Sequence, residues 1–554
     1  MNSALLTIIC LTLFYFGYKL YSKFLSEKIY NLDNKELTPA HIFNDGVDFV
    51  PTNKHMLFGH HFTSIAGAAP IIGPCIAVYW GWLPAILWVV FGTIFMGATH
   101  DFGALVISLK EKGQSVADIS SNVINRRIRI MFLCFIMLLT WLVLAVFANA
   151  IAGLFTMHPK AVLPVNIEII VAIIIGYFIY KKKFNSLVPS IIALGILYLF
   201  VWIGSTNPIN LSDFGINENS VKNTWIILLF VYSAIASLLP VWILLQPRDY
   251  INSHQLIVGL SLIFLSIFII QPDIIAPAVT NTDKGPPMIP FLFVTIACGA
   301  ISGFHGLVSS GTTSKQVNKM KDARLIGYGA TLGEGSLALA ATIAAIAGIS
   351  LVSQAGTEFC LPWLKNSCNL KSLHPVNYFV ISSSALIQQL GLSESLSTTL
   401  IVVLVVSFAA TTLDSATRIQ RYIICEFGNA VKFKLFQNKY IATLISIIPA
   451  YLIATNDALR NELWQTFGAS NQMLAALTLM ILSIYFWKKG KNVIPLLIPM
   501  IIIMMITISA LIIKFNQSTT ILLKSINGIL IVLIIWMITE GIIYCYKRHK
   551  SLNE

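Results

Sequence analysis

The sequence predicts an all-α polytopic membrane protein with discontinuous helices among its spans, and three observations predict it. Of 554 residues, 56% are hydrophobic and 11% charged, with a mean hydropathy of +0.78; a soluble domain carries roughly 25% charged residues. Apolar segments of about 20 residues, the length that crosses a bilayer, recur fifteen times along the chain. Two of them are broken by glycine, proline and histidine, residues that a plain anchoring helix would not hold at its middle.

The segment Met1 to Leu20 lacks the basic start and small-residue cleavage site of a signal peptide, and reads as the first span. The second, from Leu57, carries His60 and His61 and then Gly67, Ala68, Ala69, Pro70, Gly73 and Pro74. Irregular backbone at membrane depth is tolerated only where protein buries it or water reaches it. Such broken helices build the substrate and ion sites of secondary transporters, so the first expectation is a carrier. Spans follow near Leu83, Arg129, Leu163, Leu187, Asn223 and Gln255. The ninth, near Ile289, runs into Gly299-Ala300-Ile301-Ser302-Gly303-Phe304-His305-Gly306 and Ser309-Ser310-Gly311-Thr312-Thr313. The rest start near Leu325, Thr398, Tyr440, Leu463, Val493 and Thr520, while Val376–Leu392, interrupted by serines and glutamines, has the length of a re-entrant or interfacial helix. One transporter unit over 1–554 is expected: a first span and cytoplasmic loop (1–56), a transport core (57–416) and accessory C-terminal helices (440–546).

The net charge of +13 forms no basic domain. With the N-terminus outside and Val376–Leu392 not spanning, 29 of the 37 Lys and Arg residues fall in alternate, cytoplasmic groups, among them Arg248. The excess is therefore an orientation signal and a contact for anionic lipid headgroups, which excludes nucleic acid as a partner. The expected location is a bacterial inner membrane with a cytoplasmic C-terminus. Eight cysteines show no metal-ligand spacing, so no metal is expected; Cys360 and Cys368 share a loop and could close a disulfide in an oxidising compartment. No GxSxG, HExxH or P-loop signature occurs. An enzyme is not expected, and the energy source is expected to be an ion gradient without a bound cofactor.

Ionisable groups inside spans cost about 2.5–3.5 kcal/mol each and default to function. They are His60, His61, Asp101, Glu168, His305, Glu334, Asp414 and Glu540, with Glu168 and Glu540 discounted as near span ends. His61 could bind a carboxylate or carry a proton, or be a neutral histidine satisfied by a carbonyl. Around His305, Ser309, Ser310, Thr312 and Thr313 with freed carbonyls suit a small cation or an anion's oxygens; small-residue helix packing is the alternative. Asp101, Glu334 and Asp414 could each hold a coupled proton or pair statically with an arginine. Arg418, four residues on, favours the static reading for Asp414, whereas Glu334 has no cation nearby in sequence.

Several segments, in order along the chain, resemble the carbon starvation protein A family. They are Asn44-Asp45-Gly46-Val47-Asp48-Phe49-Val50-Pro51-Thr52, Leu57-Phe58-Gly59-His60-His61-Phe62, Ile65-Ala66-Gly67-Ala68 and Leu239-Pro240-Val241-Trp242. Pro247-Arg248-Asp249-Tyr250, Ser302-Gly303-Phe304-His305, Ser309-Ser310-Gly311-Thr312-Thr313 and Phe467-Gly468-Ala469-Ser470-Asn471-Gln472-Met473-Leu474-Ala475 continue the series. The resemblance implies a LeuT-like inverted-repeat core of the amino acid–polyamine–organocation superfamily, and proton symport of pyruvate or uptake of short peptides in starved cells. On that analogy the repeats begin with the Leu57 span, and Ser309–Thr313 falls near a coupling-ion position. The chain departs from the pattern in a reduced region around Ser353–Leu396 and in Thr99-His100-Asp101, where Val-Gln-Asp is expected. The expected site has backbone N–H groups at Gly67–Pro74 facing a carboxylate, His60, His61, Ala68, Gly303 and His305 lining it, and Glu334 or Asp101 carrying the proton. Sodium at Ser309–Thr313, a peptide substrate, a starvation sensor and an intramembrane enzyme using His60, His61 and Asp101 are the alternatives.

Overall fold

A computed structural model describes residues 2–33, 36–181, 187–280, 286–353, 361, 363, 374–518 and 520–553, with the backbone alone at 180–181, 457–462 and 549–553. The Cys360–Cys368 pair lies outside the described residues. Among the described residues, twelve helices are long and apolar enough to cross a membrane, thirteen with the bent pair Lys54–Ala66 and Ala69–Trp80. The two others of the fifteen expected depart from a plain span. The Ile289 segment splits into Met288–Thr295 and Gly303–Gly311, and the Tyr440 segment is a 17-residue helix, Lys439–Thr455. Pro375–Gln388, at 14 residues, is too short to cross.

Capping residues start many of the helices. Asn2, Asn53, Ser115, Asn125, Asn217, Ser393 and Asn438 each accept a hydrogen bond from a backbone N–H of the first turn. The breaks have equally local causes. Gly67 ends Lys54–Ala66 at φ −6°, ψ −160°, and Pro70, fixed near helical φ, opens Ala69–Ala77; the two halves meet at 44°. Gly299 takes φ +88° in the second break, a left-handed conformation that a side chain disfavours.

The two broken spans run antiparallel. Thr52, before the first, donates its N–H to the Gln316 carbonyl after the second at 3.0 Å. At the opposite end Thr280 N–H reaches the Trp80 carbonyl at 3.1 Å. Their breaks abut: a β-carbon on Gly73 would stand 2.5 Å from the Thr295 carbonyl oxygen, and one on Gly299 would stand 3.2 Å from Pro70 Cβ. Each broken span is followed by a long one (Trp82–Lys110, Arg324–Val352) and then by a longer one (Arg126–Met157, Glu394–Val431). That recurrence, in opposite sense, is the inverted-repeat order.

Arg126–Met157 and Glu394–Val431 pack along each other head to tail, joined at one end by Lys160 Nζ to Ser395 Oγ (2.7 Å) and at the other by Arg126 Nη2 to the Ala430 carbonyl (2.8 Å). Leu463–Lys488, expected among the accessory helices, is buried throughout, so the core extends beyond residue 416. The last two spans, Ile494–Gln517 and Ile521–Arg548, are about one-third buried and form the periphery.

Candidate functional site

The last turn of Met288–Thr295 and the seven residues before Gly303 leave carbonyls at the break, and side chains from other spans take several of them up. Gln472 Nε2 donates to the Phe293 carbonyl (2.7 Å), Trp88 Nε1 to the Ile296 carbonyl (3.2 Å) and Thr93 Oγ1 to the Gly299 carbonyl (3.0 Å). Asn471 caps the following half-helix from outside, its Oδ1 accepting from Phe304 N–H at 2.9 Å and its Nδ2 donating to Ser302 Oγ at 2.9 Å. The half-helix Gly303–Gly311 then presents His305 to the interior.

His305 stands between two carboxylates. Its Nδ1 lies 2.8 Å from Asp101 Oδ2, and its Nε2 lies 3.4 Å from Glu334 Oε1. Asp101 also meets His100 Nδ1 at 2.6 Å and accepts from Thr331 Oγ1 at 2.5 Å, while Glu334 Oε1 accepts the Gly299 N–H at 3.0 Å. All five side chains are buried. An imidazole bonded through one nitrogen and facing a carboxylate with the other can take a proton on one side and release one on the other. Cys298 Sγ joins this group: with donor atoms of His305 and Glu334 it lies within 4.8 Å, the grouping among the described residues that could hold a metal ion. Each of the three already has a protein partner, since Cys298 Sγ contacts Ser302 Oγ and Asn471 Nδ2 at 3.4 Å.

A second buried cluster lies beside the first half-helix. His60 Nδ1 meets Asp249 Oδ2 at 2.5 Å, and Ser64 Oγ donates to the same oxygen at 3.3 Å. Arg248 Nη1 contacts Asp414 Oδ2 at 2.5 Å and donates to Tyr232 Oη at 2.6 Å; Tyr232 in turn donates to Asp414 at 2.9 Å. Glu168 accepts from Ser407 Oγ at 2.5 Å. His61 makes its hydrogen bond to neither cluster, its Nδ1 lying 2.9 Å from Thr313 Oγ1.

Several expectations are corrected. Asp414 pairs with Arg248, not Arg418, whose guanidinium donates to the carbonyls of Ala236 and Leu239. Glu334 does have a basic neighbour, His305. Glu168 is buried against Ser407 rather than reaching water at a span end, and Arg248 lies in the core rather than in a cytoplasmic loop. Neither His60 nor His61 is satisfied by a carbonyl. The hydroxyls do not converge: Ser310 and Thr312 bond back to the Gly306 and Val308 carbonyls at 2.8 and 3.0 Å, and Ser309 reaches the Asp101 carbonyl at 3.4 Å. Gly67 is wedged against Thr412 and Phe147, where a β-carbon would stand 2.6 and 2.7 Å from the nearest atoms. Ala68 and Pro70 head the second half-helix, and Gly303 packs on the backbone of Asn471. The partners Arg248, Asp249, Tyr232, Thr331 and Asn471 were not singled out as site residues. Arg248, Asp249 and Asn471 sit in two of the family-like motifs, which was the available signal.

Two hollows lie at opposite ends of the Arg126–Met157 and Glu394–Val431 pair. One, about 350 Å³, is lined by Phe49, Ser310, Lys315, Tyr422 and Glu426. The other, about 260 Å³, is lined by Asn149, Met157, Lys222 and His374. Buried charge between two hollows is the layout of an alternating-access protein rather than of an anchor.

Residues 2–355 and 363–510 match the model of the family described as carbon starvation protein CstA. The chain belongs to the CstA family. A relative from Bacillus subtilis named peptide transporter CstA is 30% identical over 537 residues, covering 90% of this chain and 88% of that one. The pyruvate/proton symporter BtsT of Escherichia coli is 37% identical over 342 residues, covering 59% of this chain and 47% of that one. Among solved structures, MhsT in complex with L-phenylalanine aligns over 89% of this chain and 99% of that one at 11% identity, with a TM-score of 0.47, a likeness too weak to argue from. This CstA-family chain is a multi-pass integral membrane transporter and not an enzyme.

Proposed function

We propose that this CstA-family protein imports a small carboxylate, pyruvate foremost, by proton symport across a bacterial inner membrane, with its N-terminus outside and its C-terminus in the cytoplasm. The observation that carries the reading is the buried Asp101–His305–Glu334 series at the break of the second discontinuous span. A proton on Glu334 weakens its pairing with His305 and with the Gly299 N–H, so proton occupancy and the conformation of the break are linked. His61 and the N–H groups opening Ala69–Ala77 line the solute's path at the first break. Because the two breaks abut through Gly73 and Gly299, a shift at one is felt at the other. Rocking of the antiparallel elements about this contact would open the 260 Å³ and 350 Å³ hollows in turn.

A second reading, uptake of a di- or tripeptide, is supported by the name of the Bacillus subtilis relative, which spans nearly the whole chain. The larger hollow also holds both a cation, Lys315, and a carboxylate, Glu426, suited to the two ends of a zwitterion. Uptake in proteoliposomes separates the readings. Labelled pyruvate should accumulate under an inward proton gradient with an unlabelled dipeptide unable to compete. Competition by the dipeptide and not by pyruvate reverses the order. Replacing the proton gradient by a sodium gradient tests sodium coupling at Ser309–Thr313 in the same vesicles.

A further inference from the structure

Arg248 is fully buried at the start of the span Leu245–Ile270, yet only one corner of its guanidinium makes hydrogen bonds. Nη1 carries the bonds to Asp414 and Tyr232. Nε and Nη2, which together form the flat edge of the group, make no hydrogen bond; Nη2 lies 3.8 Å from Asp249 Oδ1, beyond bonding length. A buried donor pair that makes no hydrogen bond is costly even with a carboxylate 3.8 Å away, and that edge matches the two oxygens of a carboxylate in a fork-on-fork contact.

We infer that the Nε–Nη2 edge of Arg248 is where the transported solute's carboxylate is gripped. The inference rests on the proposed carboxylate transport and deepens it by naming the anchoring group. The neighbourhood supplies the means of release. Around Arg248 stand three carboxyl groups from three spans, Glu168, Asp249 and Asp414, with Tyr232 and His60 the remaining titratable neighbours and Arg418 one turn beyond Asp414. With one guanidinium facing three carboxyls, a fourth carboxylate enters only if protons accompany it, because uncompensated charge is not held at this depth. Solute entry at Arg248 is therefore linked to proton uptake, the coupling that the proposed function places at Glu334. Ser64 ties this cluster to the first broken span, contacting Asp249 at 3.3 Å and Ser415 at 3.5 Å one turn before Gly67.

The test uses the full-length protein in proteoliposomes as wild type, Arg248→Lys, and the charge-balanced pair Arg248→Gln with Asp414→Asn. Labelled pyruvate and a labelled dipeptide are offered separately, each in competition with its acid and with the corresponding amide. The wild type should prefer the acid over the amide by about a hundredfold or more, since a site built around a forked donor rejects an analogue lacking the second oxygen. Arg248→Lys should raise KM for the acid by about tenfold and reduce the acid-over-amide preference to a few-fold. If the lysine variant does not fold, the pair removes Arg248 together with Asp414, the carboxylate it bonds most closely, and in a thermal-shift measurement it should respond to acid and amide alike. Whichever solute shows these changes is the one whose carboxylate is gripped. Unchanged KM and preference in Arg248→Lys, or an acid preference surviving in the pair, would overturn the assignment while leaving carboxylate transport standing. No carboxylate uptake by the wild type would remove the transport reading, and this inference with it.

Discussion

His305 Nε2 faces Glu334 Oε1 at 3.4 Å, a span-to-span ion pair at the break of the second discontinuous helix. Since the same ring holds Asp101 at 2.8 Å, removing the imidazole leaves two buried carboxyls without their shared partner. Breaking a buried pair from one side costs about 3–5 kcal/mol. His305→Gln should therefore lower the thermal unfolding midpoint of the detergent-solubilised protein markedly, and His305→Gln with Glu334→Gln should recover part of it. Equal loss in the single and double variants would show that the two residues are not coupled.

Asn471 is an N-cap supplied by another span. Asn471→Ala would free the Phe304 N–H and the Ser302 hydroxyl at once. A lost cap costs about 1–2 kcal/mol, and the half-helix carrying His305 should loosen. Hydrogen exchange at residues 302–306 should accelerate relative to the wild type. Unaltered exchange there would mean the break is held by packing alone.

Gly67 has no room for a side chain. Its β-carbon would press on Thr412 Oγ1 and the Phe147 ring, and overpacking of this kind costs about 1–3 kcal/mol. Gly67→Val should slow transport more than it lowers stability, because it wedges the break between two positions. A variant that transports at the wild-type rate would take the first break out of the moving parts.

His61 tests the proposed solute path. Its Nδ1 is held by Thr313, and its Nε2 has no protein partner although buried. His61→Ala should fold normally and lose uptake, while Thr313→Val should weaken uptake without abolishing it. Normal uptake by His61→Ala would exclude that residue from the path.

The breaks, the non-spanning Val376–Leu392 piece and some of the buried titratable residues (His60, His61, Asp101, His305, Glu334, Asp414) were legible because each rests on local chemistry. Glycine and proline interrupt a helix wherever they occur, and an imidazole inside an apolar run is visible from its neighbours. Pairing was not legible. Arg248 and Asp414 are 166 positions apart, and His305 and Asp101 are 204 apart, so proximity in sequence pointed Asp414 to Arg418 instead. Span count drifted for a physical reason too. A hydropathy reading sees one apolar run at Ile289, whereas Gly299 with its side-chain-satisfied carbonyls makes two half-helices of it. The core position of Leu463–Lys488 was hidden because burial inside protein and burial in lipid select the same apolar residues.

In the proposed symport Glu334 carries the coupled proton. This role is tested most directly by labelled pyruvate uptake into proteoliposomes under an inward proton gradient, comparing wild type with Glu334→Gln. The wild type should concentrate the solute and release it when a protonophore is added. Glu334→Gln should exchange internal for external solute yet show no gradient-driven accumulation. Accumulation by Glu334→Gln at the wild-type level, abolished by the same protonophore, would contradict the account.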